Sequence, residues 1–99
     1  MASLLIIDLH YVADLSEVDR HIGAHMDFIK RNYEAGHFVL SGRKVPRTGG
    51  VIIARGNRAE IEALAESDPF KQHGVAEYTI TEFLPTSTAP ELAVLKHGA

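Results

Sequence analysis

The 99-residue chain contains no cysteine and no tryptophan. Without cysteine it can form neither disulfide bonds nor thiolate metal sites, which fits a reducing compartment and predicts a cytoplasmic location. A long apolar run is also missing, because Asp8 interrupts the stretch from Leu4 to Leu9. This stretch also lacks the preceding cationic segment that a signal peptide has. We therefore expect neither a signal peptide nor a membrane span, and the stretch is typical of a buried strand.

Positive charge is also scarce. Ten lysines and arginines stand against thirteen acidic residues, which gives a formal net charge of −3. A phosphate backbone is usually followed by a basic tract, and this sequence has none, so nucleic acid is not expected as a partner. The pair Gly49-Gly50 lacks the residues that complete a nucleotide-binding loop, and we expect no cofactor.

The length of the chain allows one hydrophobic core. With 45% hydrophobic and 23% charged residues, the composition is that of a globular domain. The sequence after Pro85 is rich in threonine, serine and proline, so we divide the chain into a domain at 1–86 and a tail at 87–99, which we expect to be an extended arm with room for one last helical turn. A domain of this size buries only about 60–70% of its unfolded surface, and a subunit interface is an expected further source of stability.

The first half of the chain has the pattern of a strand, a helix and two strands. Residues 3–12 alternate between two faces, and 38–43 and 51–55 are short β-prone segments. Across 16–35, apolar residues recur every three or four positions, which predicts an amphipathic helix that ends at Gly36.

The second half adds a helix at 57–67 that begins with a capping box, a helical turn that begins at Asp68, and an alternating strand at 76–84. The order βαββαβ predicts an α+β, ferredoxin-like fold, with a four-stranded antiparallel sheet and both main helices on one face. Apolar residues on the other face predict that a second subunit covers it, giving a homodimer or a higher oligomer.

His25 is a candidate acid/base residue. It lies three residues after Ile22 and four before Ile29, so it borders the buried stripe of the first helix. Beside a carboxylate such as Asp68, an imidazole can take a proton from a carbon next to a carbonyl group, while the carboxylate fixes its tautomer. The alternative is a half-buried structural histidine and an aspartate that only caps a turn.

Two further pairs of polar residues each share a strand face. Ser41 and Arg43 could bind a carboxylate or lactone oxygen and stabilise developing negative charge; alternatively they belong to a solvated strand edge. Asp8 and His10 are candidate supporting ligand contacts, or a polar patch beside the dimer cleft. Glu17, His21 and His25 follow an i, i+4 spacing that could present metal ligands, but no third histidine converges on them and we expect no metal site.

Several short motifs occur in one order between residues 4 and 84. They comprise a histidine in the first helix, a glycine at its end, a Ser-Gly pair in the second strand and an Asp-Pro-Phe motif after the second helix: His25, Gly36, Ser41-Gly42 and Asp68-Pro69-Phe70. In this order the chain resembles the YciI-like (YCII-related) family. The resemblance implies a dimeric α+β barrel like that of muconolactone isomerase, and a pocket with a His and an Asp as the functional pair. Phe70 is then a candidate ligand contact.

Relatives in that family include chloromuconolactone dehalogenases, which eliminate HCl from a chlorinated lactone. The resemblance and the residues together predict an enzyme without a cofactor that performs proton abstraction, isomerisation or elimination on a small organic acid or lactone. His25 would be the acid/base and Asp68 would orient it. Two alternatives stay open, a non-catalytic module that binds a small molecule and a dimeric interaction protein with a vestigial pocket.

Overall fold

The computed structural model describes residues 3–98. Met1, Ala2 and Ala99 lie outside them, so the outer ends of the predicted domain and tail are not described. The regular elements are β1 (Ser3–Tyr11), α1 (Leu15–Glu34), β2 (Phe38–Arg43), β3 (Gly49–Gly56), α2 (Arg58–Glu66), α3 (Pro69–Gln72), β4 (Ala76–Phe83) and a final 3₁₀ helix (Pro90–Leu95). The βαββαβ order is confirmed, with α3 as the short helical turn before the last strand.

The four strands form one antiparallel sheet in the order β2-β3-β1-β4. Ile7 in the central strand β1 pairs with Ile52 on one side and with Ile80 on the other. Since paired residues share a sheet face, this row points with Leu5 and Leu9 towards the helices. The ferredoxin-like α+β fold expected from the sequence is confirmed.

Helix α1 follows the predicted apolar stripe. Val18, Phe28 and Ile29 are buried along it, and the helix covers the sheet with this face. The chain leaves the helix through Gly36, whose φ of 82° is a left-handed conformation that a side chain would disfavour.

The second and third helices begin where local signals predict. The Asn57 side chain accepts a hydrogen bond from the backbone N–H of Glu60 at 2.8 Å. The Asp68 side chain accepts one from the N–H of Phe70 at 2.9 Å, with Pro69 at the first helical position. These two caps fix where α2 and α3 start, and the second one places Asp68 against α1.

The core lies between the sheet and the helix layer. It consists of Leu5, Ile7, Leu9, Val18, Phe28, Ile29, Phe38, Ile52, Ala54, Ile61, Phe70, Val75 and Ala76. At its edge Gly49 begins β3 against β1, and a Cβ atom there would collide with the backbone carbonyl of Leu9. Glycine therefore allows the loop before β3 to approach β1 closely.

Among residues 3–98, no main helix covers the other face of the sheet, which we call the uncovered face; its centre is apolar, and polar residues such as Asp8 and Thr79 lie around that centre. Ile6 pairs with Ile53 at its centre, and Leu40 on β2 keeps 51% of its surface exposed. Within residues 3–98, no helix has both the length and the apolar composition needed to cross a membrane. In the tail, the N–H of His97 donates to the carbonyl of Pro85 at 2.8 Å, which folds the segment back on itself.

Candidate functional site

A cavity of about 320 Å³ opens between α1, the end of β1 and the β2–β3 hairpin. Its lining on the helix side is apolar apart from His25, and the hairpin side carries polar and cationic groups. The lining residues are Leu9, Tyr11, Ile22, His25, Met26, Ile29, Ser41, Gly42, Arg43, Arg47, Gly49, Gly50, Val51, Ile52 and Phe70. The volume is at the small end of the range for ligand pockets.

His25 and Asp68 meet at the inner wall of this cavity. The imidazole Nδ1 lies 2.8 Å from the carboxylate Oδ1. His25 is 8% exposed and Asp68 is fully buried. The two residues are 43 positions apart, and the helical stripe of α1 together with the cap of α3 brings them into contact. The structure therefore unites the predicted acid/base pair.

Asp68 accepts three hydrogen bonds. Its Oδ1 faces the His25 ring nitrogen and the N–H of Phe70, and its Oδ2 accepts from the hydroxyl of Tyr78. An ionised carboxylate only accepts, so this set of donors assigns the proton of the neutral imidazole to Nδ1. The Nε2 of His25 is then an acceptor. It has no hydrogen-bond partner among residues 3–98 and keeps contact with solvent.

Phe70 forms the surface on which the imidazole lies. The two rings are stacked, with centroids 3.9 Å apart and planes 6° apart. Phe70 is itself buried and reaches the cavity. Its packing and the hydrogen bond of His25 to Asp68 together hold the imidazole plane fixed, while contact of Phe70 with a ligand stays a prediction.

Ser41 and Arg43 lie on the opposite side of the same cavity. Ser41 pairs with the inward-facing Ile52, so both β2 residues point towards the helices. The hydroxyl groups of Ser41 and Tyr33 lie 2.7 Å apart. Arg43 also lines the cavity; it is exposed to solvent and forms no ion pair within residues 3–98.

Asp8 and His10 are not brought to this cavity. Both point to the uncovered face of the sheet, where Asp8 pairs with Val51 across the strands and forms an ion pair with Lys44 at 2.6 Å. His10 is exposed. The alternation of β1 puts Leu9 towards the cavity and its two neighbours on the other side, so these residues cannot contact a ligand that touches His25 within the same subunit.

Sequence reasoning did not identify Arg47, Tyr11 or Tyr78 as part of the site. Arg47 lines the cavity from the β2–β3 loop and forms an ion pair with Asp19 of α1 at 2.5 Å. The hydrogen bond that the guanidinium group donates to this carboxylate raises the pKa of Arg47. Burial, followed by the negative charge and hydrogen bond of Asp68, raises the pKa of Tyr78 well above its usual value. The inward alternation of Tyr78 was visible in the sequence, but its partner was not.

The residues with metal-like spacing on α1 have separate partners. Glu17 forms an ion pair with Arg20, and the ring of His21 stacks on that of His73 at 4.0 Å. The Nδ1 of His25 faces Asp68. In the described part of the chain, no group of three histidine, aspartate or glutamate side chains is arranged to hold a metal ion.

Comparisons with known proteins fit this architecture. The family model described as the YCII-related domain matches residues 3–84. No curated protein matches the chain. A similar solved structure is 5-chloro-2-hydroxyhydroquinone dehydrochlorinase (TftG) from Burkholderia phenoliruptrix AC1100, in complex with 2,5-dihydroxybenzoquinone. The TM-score is 0.71 at 16% identity, over 81% of this chain and 92% of that chain. At this identity the likeness shows a common fold.

Proposed function

Because the chain belongs to the YCII-related family, we propose that it is an enzyme that needs no cofactor and moves a proton on a small cyclic organic acid or lactone. His25 is the acid/base, and Asp68 orients it. The observation that carries this proposal is a buried imidazole with one nitrogen held by a carboxylate and the other open to a cavity.

The chemistry begins with the free nitrogen of His25. Nε2 takes a proton from a carbon next to a carbonyl group; the C–H bond breaks, an N–H bond forms, and the electron pair moves to the carbonyl oxygen as an enolate. The imidazolium can return the proton at another carbon, which is isomerisation. Alternatively the enolate expels a halide, which is elimination of HCl. General acid/base catalysis of this kind contributes about 10²- to 10⁴-fold to the rate.

The enolate oxygen requires a positive partner on the far side of the cavity. The guanidinium group of Arg43 and the hydroxyl of Ser41 are placed there. A group that stabilises charge only as it develops lowers the barrier, and an unpaired cation in a largely apolar cavity favours an anionic substrate.

The size of the cavity supports a substrate with a single ring. About 320 Å³ with apolar walls from Leu9, Ile22 and Ile29 suits a ring with a few oxygen substituents. The structural relative carries 2,5-dihydroxybenzoquinone in its complex and is a dehydrochlorinase. These facts support halogenated hydroxyquinols and lactones as the first substrates to test.

The proposal is tested with a panel of chlorinated hydroxyquinols and lactones, by chloride release and by deuterium uptake from D₂O. We expect turnover in the wild-type protein and a loss of about 10²-fold or more in His25→Ala and His25→Gln. His97→Ala is the matched control, since it removes an exposed histidine of the tail that does not line the cavity. Equal turnover in His25→Gln and the wild type would reject the role of His25.

A non-catalytic binding module is the second candidate, and the free guanidinium group of Arg43 in the cavity favours it equally. The panel separates the two. A compound that raises the melting temperature without product or deuterium uptake would favour binding alone. We also propose that the protein acts as a homodimer through the uncovered sheet face and, from its lack of cysteine, that it works in the cytoplasm.

A further inference from the structure

The site contains a third polar group behind the acid/base pair. The carboxylate of Asp68 faces His25 with Oδ1 and accepts the hydroxyl of Tyr78 on Oδ2. Tyr78 belongs to β4, whereas His25 belongs to α1 and Asp68 caps α3. The hydrogen bonds thus connect three separate elements through the buried carboxylate of Asp68.

We propose that Tyr78 is a positioning residue for this pair: its hydroxyl fixes the orientation of the Asp68 carboxylate and limits how strongly His25 holds a proton. The proposal rests on the proposed role of His25 as a base and adds a residue that controls its strength. Tyr78 itself does not line the cavity of His25, so it acts through Asp68.

The argument starts from the burial of Asp68. A fully buried carboxylate requires donors for both oxygens, and among residues 3–98 the Tyr78 hydroxyl is the one donor to Oδ2. Without this donor, Oδ2 would be unpartnered and more of the negative charge would act on the imidazolium form of His25. The hydroxyl therefore holds the basicity of His25 lower than a simple His-Asp pair would.

The surroundings of Tyr78 keep it in the donor form. Burial and the adjacent negative charge of Asp68 raise its pKa, so the hydroxyl stays protonated across the neutral range. Other charged or titratable groups lie around it. They include Lys71, whose Nζ lies 5.6 Å from the ring centroid, its partner Glu66, Tyr11, and the Arg58–Glu62 ion pair, which lines the same surface pocket as Tyr78. Lys71 faces the ring and leaves the hydroxyl to Asp68.

The test is the imidazole titration of His25, followed by NMR in the wild type and in Tyr78→Phe. His25→Gln assigns the signal by its disappearance. We expect the midpoint of His25 to rise by roughly half a pH unit or more in Tyr78→Phe, because the ring is retained and only the hydroxyl is lost. Tyr33→Phe is the matched control, since the Tyr33 hydroxyl forms a hydrogen bond with Ser41 and not with Asp68. In this variant the midpoint of His25 should equal that of the wild type.

An unchanged midpoint in Tyr78→Phe would overturn the inference. If that variant does not fold, the chemical shift of the Tyr78 hydroxyl proton is followed in the wild-type protein instead. A chemical shift that changes with the same midpoint as His25 supports the coupling. A chemical shift that does not change as His25 titrates overturns it. The measurement needs no substrate. The protein can therefore show the coupling between Tyr78 and His25 without turning over any substrate, and it can be active without that coupling. A failure of this inference is thus distinguishable from a failure of the proposed function.

Discussion

Asp68 has two tasks at one position in the chain. Its Oδ1 caps α3 through the N–H of Phe70 and also faces His25, while Oδ2 accepts from Tyr78. A side chain that only capped the helix could be exposed, as Asn57 is at the start of α2. Full burial of Asp68 makes the three donors depend on it, because each would otherwise lose its partner away from water.

Replacing Asp68 by alanine is expected to lower the free energy of unfolding by about 3–5 kcal/mol, since it removes one partner of a buried charged network. Urea denaturation measures the change. Asp8→Ala is the matched control, because the Asp8–Lys44 pair is half-exposed and such pairs contribute about 0–1 kcal/mol. Similar losses in the two variants would contradict the structural role of Asp68.

Tyr78 is expected to make the free energy of unfolding decrease at alkaline pH. Its pKa in the folded protein lies above the value of about 10 in an unfolded chain, so the unfolded chain loses this proton first. The stabilisation from the protonated hydroxyl is complete below about pH 10 and declines by up to about 1.4 kcal/mol per pH unit above it.

We therefore expect the tyrosinate absorbance of Tyr78 to appear only together with the loss of the circular dichroism signal at high pH. The signal is the difference between titrations of the wild type and Tyr78→Phe. A difference that developed near pH 10 while the protein was still folded would show that the hydroxyl is not held by Asp68.

The candidate site was predictable where short-range patterns determine the position of a residue. His25 follows from the helical period of α1, and Asp68 from the Asp-Pro start of α3; these local signals placed both residues in the correct elements. Their contact across 43 residues followed only from the family resemblance. The role of Tyr78 was not predicted, because it depends on a contact with the buried carboxylate of Asp68, and no spacing in the sequence indicates that contact.

At the scale of elements, the β2–β3 loop closes one side of the cavity. Arg47 in this loop reaches Asp19 on α1, so the ion pair bridges the hairpin and the helix. The path of this loop could not be predicted, because it depends on the close approach of Gly49 to Leu9. For the same reason β3 begins at Gly49, two residues before the predicted start at Val51, where pairing with β1 supplies the hydrogen bonds.

The Arg47–Asp19 ion pair is expected to limit the affinity of the cavity for anionic ligands. In Asp19→Asn the guanidinium group loses its charged partner and becomes available to a ligand, so we expect an anionic ring compound that stabilises the wild-type protein to bind more tightly by about 2- to 5-fold, which corresponds to less than about 1 kcal/mol. Arg47→Met should weaken binding instead. Isothermal titration calorimetry measures both.

Asp14→Asn is the control for that experiment, because it removes one negative charge from an exposed position just before α1 and leaves the Arg47 pair intact. Its affinity should match that of the wild type. Equal affinities in Asp19→Asn and Arg47→Met would show that Arg47 does not contact the ligand.

At the scale of the whole molecule, the main helices among residues 3–98 cover one face of the sheet and leave the other face without a helix. The uncovered face carries Ile6 and Ile53 at its centre and the partly exposed Leu40 and Phe83 further out. Strand alternation predicted an apolar face here, and the antiparallel register shows that these apolar residues, one from each of the four strands, adjoin. A patch of this kind on a small domain favours an interface with a second copy.

We therefore expect a dimer at micromolar concentration by size-exclusion chromatography with light scattering, and a melting temperature that rises with protein concentration. Ile53→Lys should give a monomer, since it places an unpaired charge at the centre of an interface that needs about 800 Å² from each partner. Ala63→Lys adds the same charge on the exposed side of α2 and should remain dimeric. A wild-type monomer, or a dimer that survives Ile53→Lys, would rule out this face as the subunit interface.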